Sequence, residues 1–276
     1  MLFRFGLGLA ALALTLLAQP GAAQAQTRRP TIQFSDGRVF PFMNLIRFWE
    51  ANGDQAMGET PNERAPGRIF AKPGVAVLGN VSKADAAVVI RKLTIACDAL
   101  LALEPLRDVH GSYVMAAITV SRGQYGQVQG LLNIKAYAIN LNDPATRVDA
   151  GRYSTPGGDG PSLNVWYNAP FDQRYSDRLA IWGEQDGVKI LPMAGGYAGL
   201  IARADRQLLV PGRNGNVLNP KYLDPSRPAG ELQMLWFHAA SGWRDRQAPT
   251  SQNGRLAAAS FMADWGAIVR QMEQVR

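Results

Sequence analysis

Cys97 is the only cysteine in 276 residues, so no disulfide can form within the chain and its fold has to stand on packing alone. That constraint matters because the chain reads as exported. Arg4 gives a short positive start, and residues 5–18 follow without charge and rich in Leu and Ala. Gln19-Pro20-Gly21 then breaks the helix, and Ala23-Gln24-Ala25 puts small residues at the two positions a signal peptidase reads. The pattern predicts a signal peptide over 1–25, cleavage between Ala25 and Gln26, and a mature protein in the periplasm or outside the cell. The apolar run is shorter than the roughly 20 residues a bilayer-spanning helix needs. No cysteine stands at the cleavage site to take a lipid. The most hydrophobic later segment, 84–103, carries Asp85, Arg91, Lys92 and Asp98, so no transmembrane span is expected after cleavage. A lone thiol in an oxidising compartment is either buried or used. Cys97 shares a helical stripe with Leu93 and Leu100, which predicts burial.

The formal net charge is +7, and loss of Arg4 with the signal lowers it by one. Such a balance favours an anionic envelope component, such as phospholipid headgroups, lipopolysaccharide or a cell-wall polymer, or else a protein partner. A compositional reading competes with this: Arg outnumbers Lys 23 to 6, Ala, Gly and Pro are abundant, and no basic run exceeds two residues. No basic stripe interleaves with aromatics, which argues against nucleic acid.

Periodicity sets the expected architecture. Residues 26–37 read as a polar, poorly ordered lead-in with a short strand at 31–34. A helix is expected over 41–51, with Phe42, Leu45, Ile46 and Trp49 at helical spacing and Asn52-Gly53 ending it. Residues 53–67 read as a surface loop. Ser82-Lys83-Ala84-Asp85 resembles a capping box and opens a helix over 82–103, with Ala86, Val89, Leu93, Cys97, Leu100 and Leu101 as its stripe. The period then changes. Residues 112–121 are apolar on both faces, as in a central strand, and 128–140 alternate, with Leu132, Ile134, Ala136 and Ala138 on one side. Further strands are expected at 163–168, 197–202, 207–210 and 231–239, and a hairpin at 178–193 turning through Glu184-Gln185-Asp186-Gly187. Residues 210–230, with four prolines, read as a long surface loop. One helix over 254–275 closes the chain, with Leu256, Ala259, Met262, Trp265, Ile268 and Met272 on its stripe and Arg255, Asp264, Arg270 and Glu273 off it. Hairpin connections predict an α+β fold, a mostly antiparallel sheet with helices near the N-terminal third and at the C-terminus, in one domain over 26–276.

Chemistry is thinly signalled. With two histidines a histidine-rich metal site is out of reach, and no metal-ligand spacing or cofactor motif occurs. Asn140, Asn142, Asp143 and Asp149 gather oxygen donors, but Pro144 interrupts them. Asp108-x-His110-x-Ser112 has the residue types of a nucleophilic relay, although residues two apart on an extended segment do not stack as one. His238 falls on an apolar strand face with Leu232, Met234 and Trp236, where a histidine is usually a core residue. Glu231, opposite it, has the chemistry of a general acid. Asp172, Asp177, Glu184 and Asp186 lie near Trp166, Tyr167, Tyr175 and Trp182, and acids beside aromatic platforms suit glycan hydrolysis. The Gly-rich stretches 156–160 and 195–199 lack the strand, helix and lysine of a phosphate loop. Turns and close backbone approach explain them better. The reading that follows is an exported, non-enzymatic binding or interaction domain, with a secreted hydrolase acting on glycan through carboxylates as the alternative.

Overall fold

The computed structural model describes residues 37, 39–40, 42–171, 179–193, 196–213, 215–239 and 248–275. The export signal, the expected strand at 31–34, and Asp172, Tyr175 and Asp177 lie outside the described residues. In chain order, α1 (Met43–Asn52) and the one-turn α2 (Pro61–Arg64) precede β1 (Ile69–Val77). Then α3 (Lys83–Leu101) and the short α4 (Glu104–Arg107) lead into β2 (Ser112–Arg122) and β3 (Val128–Ala138). A small hairpin, β4 (Arg147–Asp149) with β5 (Arg152–Ser154), comes before β6 (Ser162–Tyr167). Next are β7 (Gly183–Gln185), β8 (Val188–Met193) and β9 (Gly196–Ala202), then the hairpin β10 (Leu209–Gly212) and β11 (Gly215–Leu218). The chain closes with β12 (Met234–Ala239), α5 (Gln252–Met262) and α6 (Trp265–Gln274). Eight strands form one sheet in the order β1-β2-β3-β6-β12-β9-β8-β7. Among the described strands of this sheet only the β1–β2 pair is parallel. The fold is α+β with a mostly antiparallel sheet.

Helices cover one face of that sheet. Alternation along the strands sends Val114, Ile118 and Val120 of β2, Leu132 and Ile134 of β3, and Leu235 and Phe237 of β12 to this side, where they join a core with residues of α1, α3, α5 and α6. α3 shows how sequence dictates the docking. The Ser82 hydroxyl oxygen accepts the Asp85 backbone N–H at 3.0 Å and caps the start of the helix. The stripe from Ala86 to Leu101 is buried, Cys97 with it. Burial pushes the Cys97 thiol up to about 12, which leaves it an inert packing group.

The opposite face carries a second, smaller core over β12, β9 and β8, built on Leu191, Leu200, Met234 and Trp236. Its cover comes from the stretch that the prolines suggested was a surface loop. Residues 210–230 instead hold most of the β10–β11 hairpin and two buried side chains, Tyr222 and Leu223. On the β2 side this face stays open, with Met115 42% exposed, so β2 is not the two-sided central strand its composition suggests.

Three further departures have physical causes. β1 gave no sequence signal because it is a largely exposed edge strand, and its register shifts between Phe70 and Gly74, across Lys72-Pro73. The 184–187 turn is tighter than expected: β7 and β8 are joined by Asp186 and Gly187 alone, both left-handed at φ 50° and 79°, as two-residue hairpin turns require. The single C-terminal helix is two helices. Ala263 is extended, and Asp264 restarts the helix by accepting the Ala267 N–H at 2.8 Å. The indole N–H of Trp265 reaches back to the Ser260 carbonyl at 2.8 Å and fixes the elbow. Before that elbow α5 is buried all round, so Arg255 does not face solvent: it is 0% exposed.

Candidate ligand-binding cleft

The residues that carried chemistry in the sequence are dispersed by the fold. The Asp108 carboxylate accepts from Arg152 Nη2 at 2.8 Å, while Arg152 Nη1 donates to the Gly67 carbonyl. His110 Nδ1 lies 3.3 Å from the Asp108 backbone oxygen, not its carboxylate, and Ser112 is buried at the start of β2. No relay is assembled. Glu231 accepts from Arg203 at 2.6 Å and also from Arg227, inside an ion-pair network with Asp205 and Asp224. Glu184 pairs with Lys189 at 2.8 Å across the β7–β8 hairpin. Asp149 pairs with Arg68 at 2.8 Å, and the Asn140 and Asp143 side chains accept local backbone N–H groups. Among the described residues no three His, Cys, Asp or Glu side chains gather in a metal-holding group.

Register fixes the larger separations. Val120, Gly130, Tyr167 and Leu235 lie side by side across the sheet. His110 therefore falls beyond one end of the strands and Glu231 beyond the other, more than about 30 Å apart at a strand rise of about 3.3 Å per residue. His238 sits between them on β12, in register with Asn164 and Ala198, and is 8% exposed. Burial lowers its pKa, so the imidazole is neutral at pH 7. Leu232, expected on the same face, packs in the helix-side core instead.

The aromatic candidates also part company. Trp166 stacks on Trp236 with centroids 3.7 Å apart and planes 6° off parallel. Tyr167 points to the helix side, where its hydroxyl donates to the Ala229 carbonyl at 3.0 Å and burial raises its pKa. Trp182 packs against Tyr197 at 5.4 Å.

What the fold does build is a cleft of about 330 Å³ between the β7–β8 hairpin and the α5–α6 elbow. Val188, Ile190, Phe237, Phe261 and Trp265 give it an apolar lining. Phe237 stacks on Trp265 at 4.3 Å and meets Phe261 edge-on at 5.3 Å. The Phe237 ring also lies on the bare backbone of Gly199, where an added Cβ would fall 2.0 Å from the ring. Close approach thus explains the last glycine of the 195–199 stretch. Gln185, Asp186, Asp264 and Arg270 supply the polar part of the lining. A Cβ on Gly266 would stand 3.3 Å from both Arg270 Nη1 and Asp264 Oδ1, so the two charges flank the vacant side of that glycine.

Sequence reasoning missed this site. Asp186 registered as a turn residue and as one of four acids near other aromatics, and Trp265 only as part of a stripe. The available signal was Asp264, a favoured N-cap residue placed inside an apparently continuous helical run.

Fold and site together define an α+β domain with helices on one sheet face and an aromatic cleft at one end of that layer. The chain matches no protein-family model, no curated protein and no solved structure.

Proposed function

We propose that this chain is an exported, non-enzymatic binding domain of the periplasm or envelope that holds a small, largely apolar ligand in the cleft. One observation carries the reading: a concave site of about 330 Å³ with an aromatic and aliphatic lining and a few polar groups. Small-molecule sites have this composition and volumes of roughly 300–1,000 Å³. Three of the described carboxylates singled out by sequence, Asp108, Glu184 and Glu231, support a role without catalysis, since each is committed to an arginine or lysine. The basic net charge adds an anionic envelope component to the proposed surroundings of the mature protein. For export, N-terminal sequencing of the mature protein should begin at Gln26. A retained Met1 on membrane-bound protein would reverse that assignment.

The cleft is tested by thermal shift of the mature protein against a panel of small metabolites. A true ligand at about 100 times its Kd stabilises by about 2.7 kcal/mol. Gly266→Leu, which fills the cleft while improving helix propensity, should abolish that shift and leave the fold intact. An equal shift in wild type and variant would place the ligand elsewhere.

The second reading, a glycan hydrolase working through carboxylates, has one observation in its favour: Asp186 and Asp264 line the same aromatic cleft. Release of reducing ends from envelope glycan, lost in Asp264→Ser, would replace the binding reading with that one.

A further inference from the structure

The charges on the cleft narrow the ligand class. Arg270 makes no hydrogen bond or ion pair with any described residue, although its guanidinium is held over the first turn of α6 beside Gly266. Asp264 uses Oδ1 to cap α6, and its other oxygen accepts nothing from a described residue. The cation and the anion thus flank one vacant point, each 3.3 Å from it, without bonding each other. Asp186, which already has an interaction of its own, adds negative charge to the lining from the hairpin turn.

A lone anion in this cleft would satisfy Arg270 but meet two carboxylates. A lone amine would be welcome to the carboxylates and leave the guanidinium without an anion. A ligand carrying both charges on one carbon, with an apolar body for the Phe237–Phe261–Trp265 surface, answers both Arg270 and Asp264. Charged hydrogen bonds are stronger than neutral ones, so this complementarity adds selectivity to the apolar fit. The volume lies at the small end of the range for ligand sites, which suits one residue rather than a polymer.

Resting on the cleft being a binding site, we infer that its ligand is a free α-amino acid with a large apolar side chain. The carboxylate goes to Arg270, the ammonium to Asp264, and the side chain lies on the aromatic surface. No bond is made or broken.

Calorimetric titration of the mature protein separates the possibilities, using L-phenylalanine, L-tryptophan and L-leucine beside 2-phenylethylamine and 3-phenylpropionate. L-Phenylalanine should bind about ten- to a hundredfold more tightly than either analogue, the difference one charge-assisted contact supplies. Arg270→Gln should bring L-phenylalanine down to the level of 2-phenylethylamine without changing the amine's own affinity. Gly266→Leu should remove binding of all five. The inference is overturned if either analogue matches the amino acid, or if Arg270→Gln binds L-phenylalanine as wild type does. It is also overturned, with the cleft reading left standing, if none of the probes binds while another small molecule still stabilises wild type but not Gly266→Leu. If no molecule shows that difference, both readings fall.

Discussion

Replacing Arg255 with alanine will lower the unfolding free energy by about 3–5 kcal/mol, the range for stripping a buried charged group from its partners. The guanidinium is 0% exposed and has three separate backbone acceptors. Nη1 donates to the Pro105 carbonyl at 3.0 Å, Nη2 to Ala56 at 3.2 Å and Nε to Thr250 at 3.1 Å. It also lies 4.7 Å from the Trp49 ring, whose indole N–H donates to the Pro249 carbonyl. One side chain therefore ties together α1, the turn after it, α4 and the approach to α5. Burial pulls its pKa down to about 10, against the opposing pull of the Asp108 carboxylate, so it stays charged at neutral pH. Alanine would leave three carbonyls without this donor and open a gap beside Trp49. Lysine should recover only part of the loss, because an ammonium cannot reproduce the planar fork. Urea unfolding at pH 7 measures both. A loss below about 1 kcal/mol for alanine would mean that water replaces the guanidinium at little cost.

Asn168→Ala carries the second large effect, again about 3–5 kcal/mol. Asn168 follows β6 with φ 51°, a left-handed conformation that asparagine tolerates and alanine resists. Its Oδ1 accepts two backbone N–H groups, from Gln233 at 2.8 Å and Met234 at 3.1 Å, and its Nδ2 donates to the Glu231 carbonyl at 2.8 Å. The residue is 1% exposed, so water cannot step in freely. Glycine at this position separates the two causes. It accepts the positive φ but restores no hydrogen bond, so Asn168→Gly should be only about 1 kcal/mol more stable than Asn168→Ala. If glycine restored wild-type stability, backbone strain and not the buried hydrogen bonds would govern the site. The same interactions explain why Glu231 belongs to the scaffold: its carbonyl anchors Asn168 and its carboxylate anchors Arg203 and Arg227.

Local signals carried part of this far. α3 was legible because a serine cap and an unbroken apolar stripe agree on the same helix. β3 was legible because one face is buried and the other half-exposed, which leaves strict alternation. The 186–187 turn was legible because aspartate followed by glycine suits two left-handed positions. β1 was not, because an exposed edge strand interrupted by proline has no pattern to keep. The 210–230 stretch was misread because its prolines shape a cover over Trp236 whose anchors, Tyr222 and Leu223, are only two residues in a polar run.

By itself, then, the sequence determined that the chain folds without disulfides, that its fold class is α+β, and that Cys97 is a packing residue. Each follows from residue counts or from periodicities that short stretches impose on themselves. Only the tertiary structure decided where a ligand can sit. The cleft needs the helix to break at Asp264, Phe237 to lie on Gly199, and a hairpin far back in the chain to face the elbow. The same packing turned Arg255 inward although its position off the stripe suggested solvent, because helix periodicity names one face and says nothing of what closes over the others. Contacts between segments so distant in sequence are chosen by the global packing of apolar surface, and no local pattern encodes them.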